Sequence, residues 1–210
     1  MVESFSHFIS ADKLLEIHSE VIILDCSVDP AADQRQAYLD KHIAGAIYLD
    51  LANFRDTESP YMFMMPKEAL VKSHLTSLGV GLDKQVVVYD RSDNKWATRG
   101  AYVLQAWGFD NVKVLDGGLK NWGDRPTESG ESKKGTGTNF DFHFRSELVA
   151  TFEDIQSITS GQVKSHQIVD ARPAAAFAGG NIPGSINVPM PGLMTAEGTL
   201  KPVSEIKTIF

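Results

Sequence analysis

The sequence predicts an α/β fold with a central parallel sheet flanked by helices, followed by an incomplete second copy of the same fold. Three observations support this prediction. Short apolar runs typical of buried strands alternate with segments that have helical spacing. Several of these runs end in aspartate, which favours a loop at the carboxyl end of each strand. The pattern then begins again after residue 149.

Strand and helix signals follow one another in a regular order along the first 125 residues. The predicted strands are 21–24, 47–49, 86–89 and 112–115. Before the third strand, residues 68–78 carry apolar side chains at positions 70, 71, 75 and 78, which is the spacing of an amphipathic helix. A further helix is predicted to begin near Ala97 and to run through 101–107. This order indicates parallel strands whose carboxyl-end loops form the functional site.

The composition argues against several classes of function. A net charge of -7 disfavours a nucleic-acid surface, which needs a clustered basic face. The single cysteine, Cys26, excludes an internal disulfide and a cysteine-based zinc site, and it fits a reducing compartment. No apolar run approaches the roughly 18 residues that span a bilayer. The N-terminus resembles neither a secretory signal nor a transit peptide. The cytoplasm is therefore favoured over the mitochondrion, and no membrane association is expected.

A polar stretch separates the two copies. Residues 124–139 read DRPTESGESKKGTGTN, a segment rich in glycine and polar residues that shows no apolar period. We therefore predict a first domain at 10–125, a linker at 126–148 and a partial second domain at 149–210.

Three motifs recur after the linker in their original order, which identifies an internal repeat. VIILDCS at 21–27 is echoed by HQIVDAR at 166–172. HIAGAIYLDL at 42–51 is echoed by NIPGSINVPM at 181–190. A weaker match joins MPKEALVKSHL at 65–75 to KPVSEIKTIF at 201–210. Chance matches of single motifs are common, but three in register are not.

These motifs carry a resemblance to a known family. The segments HIAGAI, VVVYD and VLDGG, together with TESPYMFMMP at 57–66, resemble the rhodanese domain. A tandem pair joined by a linker is similar to the thiosulfate and 3-mercaptopyruvate sulfurtransferases. Two departures are visible: Ala44 stands where the family prefers proline, and Asn181 stands where it prefers histidine.

The resemblance implies a sulfur-transfer reaction. In that family a second-domain cysteine at the end of the strand equivalent to VVVYD takes sulfur from thiosulfate or 3-mercaptopyruvate and carries it as a persulfide. The implied partners are a small-molecule sulfur donor and a thiol or cyanide acceptor. No metal or organic cofactor is implied, since the persulfide itself carries the sulfur. The first domain resembles a degenerate copy with aspartate in the cysteine's place, and Asp90 fits that pattern.

The same resemblance gives an expected position for the nucleophile. Pro66 lies 24 residues before Asp90, and the same interval counted from Pro202 reaches position 226. We therefore expect the nucleophilic cysteine beyond Phe210. The 210-residue chain, as a C-terminally truncated member of the family, is expected to be inactive alone.

Two residues are candidates for the substrate cleft. By resemblance, Asp50 lines the cleft on the side of the first domain, while its structural interpretation is to cap a short strand. Arg172 belongs to a DxR motif that is usually structural in the family. The substrate-binding arginine expected a few residues later is replaced by Ala176, which puts recognition of an anionic donor in doubt.

The degenerate loop carries a second group of candidates. Arg91, Lys95 and Arg99 are compatible with an anion site around Asp90, although solvated surface charge is the commoner explanation. Arg99 is also a candidate partner of Asp90 or Asp93. His42 is expected to bond the neighbouring backbone.

The same residues also allow interpretations other than sulfur transfer. Cys26 is a substitute nucleophile or a small buried residue, and its place after the first strand favours burial. A non-catalytic binding or regulatory module of the same fold is the rival interpretation. A cysteine-dependent phosphatase is disfavoured because the sequence contains no Cys-x5-Arg pattern.

Overall fold

The structure is a computed structural model that describes residues 6–29, 31–91 and 93–210. Its described residues form two compact units, one that extends to Arg145 and one that begins at Ser146. Each unit is described by itself below.

The first unit contains seven strands and five α-helices among its described residues. The strands are β1 (Phe8–Ile9), β2 (Ile22–Asp25), β3 (His42–Ile43), β4 (Ile47–Tyr48), β5 (Val86–Tyr89), β6 (Val112–Leu115) and β7 (Thr127–Glu128). The helices are α1 (Ala11–Ile17), α2 (Gln34–Asp40), α3 (Glu68–Leu78), α4 (Lys95–Ala106) and α5 (Gly118–Trp122).

Five strands form a parallel sheet in the order β1-β6-β5-β2-β4. Every residue of β2 and β5 is buried, which explains why these strands read as continuous apolar runs in the sequence. Strands β3 and β7 form a separate antiparallel pair. The parallel α/β architecture predicted from the sequence is confirmed.

The two faces of the sheet pack separate clusters of apolar side chains. Leu24 and Val88 face one cluster, which also contains Trp107. Ile23 and Val87 face the other, which also contains Trp122. Burying such side chains stabilises the fold by about 1.5–3 kcal/mol each. Since successive strand residues point to opposite faces, the alternation follows directly from the strand geometry.

Long elements agree closely with the sequence predictions. Strands β5 and β6 and helix α3 have the predicted bounds, and α4 begins at Lys95, two residues before the predicted start near Ala97. The sequence did not predict β1, β3 or β7. Each of these strands has two residues, which is too short for an alternation to be visible.

Residues 126–145 follow the surface of the first unit. Asp83 accepts hydrogen bonds from the backbone N–H groups of Thr138 (2.7 Å) and Asn139 (2.8 Å), and these bonds lower the pKa of its carboxyl to about 2. Phe142 is buried in the core. The segment therefore contributes to the first unit, and the domain division at 126–148 stays a prediction from sequence.

The second unit contains fewer elements. They are α6 (Phe152–Thr159), β8 (Val169–Asp170), α7 (Ala174–Ala178), β9 (Ile186–Asn187) and α8 (Val203–Ile206). Strand β8 pairs in parallel with β9, just as β2 pairs with β4. Within the described part of the chain, this pair forms a sheet of two strands.

The last helix of the chain, α8, ends at Ile206. Ile206 is buried, but Ile209 and Phe210 are 41% and 69% exposed. After Lys207 the backbone hydrogen bonds tighten from i−4 to i−3, so that the last residues turn away from the helical path.

Candidate functional site

The carboxyl ends of β2, β4 and β5 meet at one edge of the parallel sheet. Asp25 closes β2, Asp90 follows β5, and Asp50 lies two residues beyond β4. This edge is where open parallel sheets place their ligands. Three carboxylates from separate parts of the sequence thus lie at the position that the fold favours for function.

Asp90 is held inside a ring of backbone amides. Its side chain is 1% exposed, and its Oδ2 accepts hydrogen bonds from the N–H groups of Trp96 and Ala97, both at 2.9 Å. Its Oδ1 accepts from the N–H of Asn94 at 3.2 Å. The loop therefore stabilises negative charge at the end of β5.

The backbone of the loop explains this convergence of amides. Asn94 has a φ of 65°, in the left-handed region, and precedes the first turn of α4. Asparagine tolerates this conformation better than most residues do. The first amides of α4 have no partners within the helix, and the helix dipole favours an anion beside them. The carboxylate of Asp90 satisfies both requirements.

Arg91 points away from this ring of amides. Its Nη2 lies 3.4 Å from Oδ2 of Asp25 and donates to the backbone carbonyl of Lys41. Burial raises the pKa of the Asp25 carboxyl, and this effect is opposed by hydrogen bonds from Ser27 and by the charge of Arg91. Arg91 therefore partners a buried carboxylate of the neighbouring strand.

Arg99 also has a structural partner. Its guanidinium donates to the backbone carbonyl of Phe63, and burial lowers its pKa. Phe63 has a φ of 59°, unusual for an aromatic residue, and its ring centroid lies 4.9 Å from that of Trp96. Lys95 lies over the Trp96 ring at 4.7 Å. The described contacts direct Arg91, Lys95 and Arg99 to different partners, so they do not converge on one anion.

Asp50 caps a turn after β4. Its Oδ2 accepts from Nδ2 of Asn53 at 2.8 Å, and its backbone carbonyl accepts from the N–H of Phe54 at 2.7 Å. Its charge also contributes to a raised pKa of Tyr48, whose main cause is burial. These contacts support the capping interpretation. The role of Asp50 in a substrate cleft stays a prediction.

Cys26 is fully buried in the core. Burial raises the pKa of its thiol well above the ordinary value, and the charges of Asp25 and Asp90 add to the shift. A Cβ added at Gly100 would lie 2.7 Å from its Sγ, so α4 packs tightly over the sulfur. Since the thiolate is the reactive form, Cys26 has the surroundings of an inert core residue.

Arg172 forms a local ion pair in the second unit. Its guanidinium contacts both carboxylate oxygens of Asp170, with Nη2 2.7 Å from Oδ2, and it donates to the carbonyl of Gly180 at 2.7 Å. The pair lowers the pKa of Asp170 and raises that of Arg172. The geometry supports a structural role, and contact with a substrate stays a prediction.

Sequence reasoning missed several partners that build this edge. The amides of Asn94, Trp96 and Ala97 cannot be recognised in a sequence, because every residue except proline has a backbone N–H group. The bond from Arg99 to Phe63 joins residues 36 positions apart. The pairing of Asp25 with Arg91 had one available signal, since Asp25 directly follows one predicted strand and Arg91 is the second residue after another. Among the described residues, no group of three His, Cys, Asp or Glu side chains is arranged to hold a metal ion. Within the same residues, no helix is long and apolar enough to cross a membrane.

Comparison with known proteins identifies the class. The family model of the rhodanese-like domain matches residues 10–125 and 155–209. The chain therefore belongs to the rhodanese-like family, with two matching segments that fit the tandem arrangement of the sulfurtransferases.

The individual relatives are sulfurtransferases. The chain is 35% identical to thiosulfate sulfurtransferase of Gallus gallus, over 90% of this chain and 69% of the relative. It is 33% identical to 3-mercaptopyruvate sulfurtransferase of Escherichia coli K12, over 99% and 79%. The solved structure of the 3-mercaptopyruvate sulfotransferase SseA from Escherichia coli superimposes with a TM-score of 0.85 at 31% identity, covering 98% of this chain and 83% of that one. These relatives support a sulfurtransferase function.

Proposed function

We propose that this chain is part of an enzyme that moves sulfane sulfur from thiosulfate or 3-mercaptopyruvate to a thiol or cyanide acceptor. The sulfur is carried as a persulfide on a cysteine of the second rhodanese-like domain. The observation that carries the proposal is the loop after β5, where backbone amides surround the carboxylate of Asp90. An amide ring of this kind suits a thiolate or persulfide, because both are anions at the end of a strand.

The first domain has the loop without a nucleophile. A carboxylate cannot hold a persulfide that passes readily to a second thiol, so Asp90 does not replace cysteine. Cys26 is buried, and its thiol has a raised pKa. By the repeat, the working cysteine lies beyond Phe210, near position 226. We therefore expect residues 1–210 alone to transfer no sulfur.

The substrates and compartment belong to the same proposal. The donor and the acceptor are small molecules, and neither a nucleic acid nor a membrane takes part. The persulfide carries the sulfur, so the reaction requires no metal or organic cofactor. A cytoplasmic location is favoured.

A sulfur-transfer assay tests the proposal. Residues 1–210 are mixed with thiosulfate and cyanide, or with 3-mercaptopyruvate and a thiol, and product is compared with a no-protein control. We expect no turnover above the control. If the gene encodes the missing strand and loop, a chain extended through them should have activity and should lose it when the new cysteine is changed to serine.

Two variants separate the roles of residues in the first domain. Asp90→Ala in the extended chain should change turnover little, because the proposed chemistry lies in the second domain. Cys26→Ser should also leave turnover unchanged. A persulfide found by mass spectrometry on Cys26 of the 210-residue chain would contradict the proposal.

The rival function is a non-catalytic binding or regulatory module. The carboxylate inside the amide ring and the burial of Cys26 favour it for the first domain. An encoded extension that has no cysteine in the corresponding loop would decide for this alternative.

A further inference from the structure

His42 is a fully buried histidine on β3, outside the edge described above. Its ring stacks on Tyr38 with centroids 4.0 Å apart. Its Nδ1 lies 2.7 Å from the backbone carbonyl oxygen of Tyr38. A carbonyl oxygen only accepts hydrogen bonds, so Nδ1 carries a proton.

The other ring nitrogen faces the polar segment that follows α5. Nε2 of His42 lies 2.9 Å from Oγ of Ser132 and 3.2 Å from Oε1 of Glu128. The hydroxyl of Ser132 donates to that same Oε1, which also accepts from the N–H of Gly45 at 2.9 Å. Glu128 lies on β7, which pairs with β3.

Counting protons defines the charge of the ring. The contacts among Nε2, Oγ and Oε1 form a triangle, and Ser132 supplies one hydrogen to it. If that hydrogen goes to Glu128, a neutral ring presents its Nε2 lone pair to a hydroxyl oxygen and a carboxylate, with no proton between them. A second proton on Nε2 satisfies every contact. The geometry therefore fits an imidazolium.

We propose that His42, Glu128 and Ser132 form a proton-dependent clasp, which fastens residues 127–134 to β3 and loosens them as the pH rises. The segment lies in sequence between the two copies. The clasp thus makes the anchoring of the connecting chain sensitive to pH, independently of the sulfur-transfer proposal.

Other ionisable groups surround the clasp from each neighbouring element. Helix α2 contributes Tyr38 and Arg35, and Arg35 pairs with Glu131 of the clasped segment. Strand β5 contributes Tyr89, whose hydroxyl accepts from the N–H of Ile43, and the following loop contributes Arg91, which donates to the carbonyl of Lys41. Helix α5 packs on β3 and carries Lys120, which is exposed. The turn after β3 contacts a second histidine, His18, whose Nε2 lies 2.7 Å from the carbonyl oxygen of Ala44. Histidine is the residue type that ordinarily changes charge between about pH 5 and 8, and the variant His42→Asn separates the two histidines.

The direction of the effect follows from the two partners. Bonds from Ser132, then Gly45, then His42 hold the pKa of Glu128 below its ordinary value, so its carboxylate is ionised throughout that pH range. The charge-assisted contact is complete while His42 holds two protons. Loss of the proton on Nε2 removes this contact, because the nitrogen then only accepts hydrogen bonds.

Hydrogen exchange of the full chain tests the clasp. Protection of the peptide covering 127–134 is measured by mass spectrometry at pH 5.5 and pH 8 and corrected for the intrinsic rate at each pH. Losing a hydrogen bond to a charged group corresponds to roughly a tenfold fall in protection. A wild-type peptide whose protection is equal at the two pH values would overturn the proposal.

Matched variants assign the effect to the triangle. His42→Asn should abolish the pH dependence, since the second copy has Asn181 at this position with the same bond to the carbonyl four residues earlier (Phe177, 3.2 Å). Glu128→Gln, at an exposed residue, should reduce protection at pH 5.5 to the pH 8 level. Glu131→Gln, which alters the pair with Arg35, should leave the profile unchanged. Unchanged protection of β5 in each variant confirms the fold. A wild-type profile in both His42→Asn and Glu128→Gln would refute the clasp.

Discussion

The two copies place similar strands in different surroundings. Strand β2 lies between β5 and β4 and is buried along its whole length. Strand β8 repeats its sequence pattern but pairs with β9 alone among the described residues, and Val169 on it is 43% exposed. The comparison shows that an apolar run makes a strand, whereas its neighbours decide whether the strand is buried.

The helices that precede these strands show the same difference. In the first unit, Leu14 of α1 packs in a cluster with Val87 and Trp122. In the second, Phe152 at the start of α6 is 71% exposed and lines an open groove that also contains Val169. A large part of the first cluster comes from β5, β6 and α5. The second unit has no described counterparts of those elements.

Carboxylates at the ends of β2 and β8 respond to their surroundings in opposite ways. Burial raises the pKa of Asp25, although Ser27 and Arg91 oppose the shift. The bidentate pair with Arg172 lowers the pKa of Asp170, which is more accessible to solvent. Equivalent aspartates thus differ because one is desolvated and the other is paired at the surface.

Separating the two units should have the largest effect on folding. A fragment that ends at Arg145 should fold, whereas residues 146–210 alone should not fold stably, because domains of about 60 residues are already marginal and this one leaves apolar groups exposed. Limited proteolysis of the full chain should leave a resistant core ending between about 124 and 150.

Two fragments with different C-terminal ends measure how much residues 126–145 stabilise the first unit. A fragment that ends at residue 125 should be less stable than one that ends at Arg145, because it loses the buried ring of Phe142, worth about 3–5 kcal/mol. Chemical denaturation of the two fragments measures the difference. A protease-resistant fragment spanning 150–210 would break the contrast between the units.

A smaller effect is expected from matched truncations in β2 and β8. Leu24→Ala should lower the free energy of unfolding of the first unit by about 2–5 kcal/mol, because it leaves a cavity in a closed core. Val169→Ala, at the equivalent position, should change stability by about 0.5 kcal/mol or less.

Two spectroscopic probes distinguish these truncations. Tryptophan fluorescence reports on the first unit, which contains all three tryptophans, and far-UV circular dichroism reports on the whole chain. Equal losses of stability in the two variants would mean that β8 is as enclosed as β2.

The smallest effects concern the paired aspartates. Carbon-detected NMR titration should place the pKa of Asp25 above its ordinary value and that of Asp170 below it. The raised pKa of Asp25 makes its contribution to stability increase as the pH falls through that pKa. The lowered pKa of Asp170 gives a contribution that is present above the ordinary value and is lost as the pH falls.

Substitution of each arginine tests these directions. Arg91→Ala should raise the pKa of Asp25 further, and Arg172→Ala should return that of Asp170 towards its ordinary value. Shifts in the reverse direction would show that the ion pairs do not control these carboxyl groups.

Several features of the site were predictable from local pattern. The strand that ends at Tyr89, the loop after it and Asp90 in place of a nucleophile all follow from an apolar run, a polar break and a repeat. Cys26 was expected in the core because it follows the first strand of the repeat. The local bond of His42 was expected as well, and the structure shows it with Tyr38.

Contacts between distant residues were not predictable in this way. Arg99 was a candidate partner of Asp90, yet it bonds the carbonyl of Phe63, because folding brings a strained turn beside α4. The polar stretch after Trp122 was predicted as linker from composition. Its backbone nevertheless donates hydrogen bonds to Asp83, and its residues 127–128 form β7, which pairs with β3. Glycines in this stretch allow close approach to the backbone of the first unit.

The sequence by itself determined the α/β class, the order of the main strands along the chain, the repeat and the absence of a thiol at position 90. These properties depend on the period of apolar residues and on residue identity, which are local. Only the tertiary structure decided which charges pair, which carboxylate is desolvated and which histidine meets Glu128. Such properties depend on distances between residues far apart in sequence, and those distances exist only after the sheet and its connections have packed.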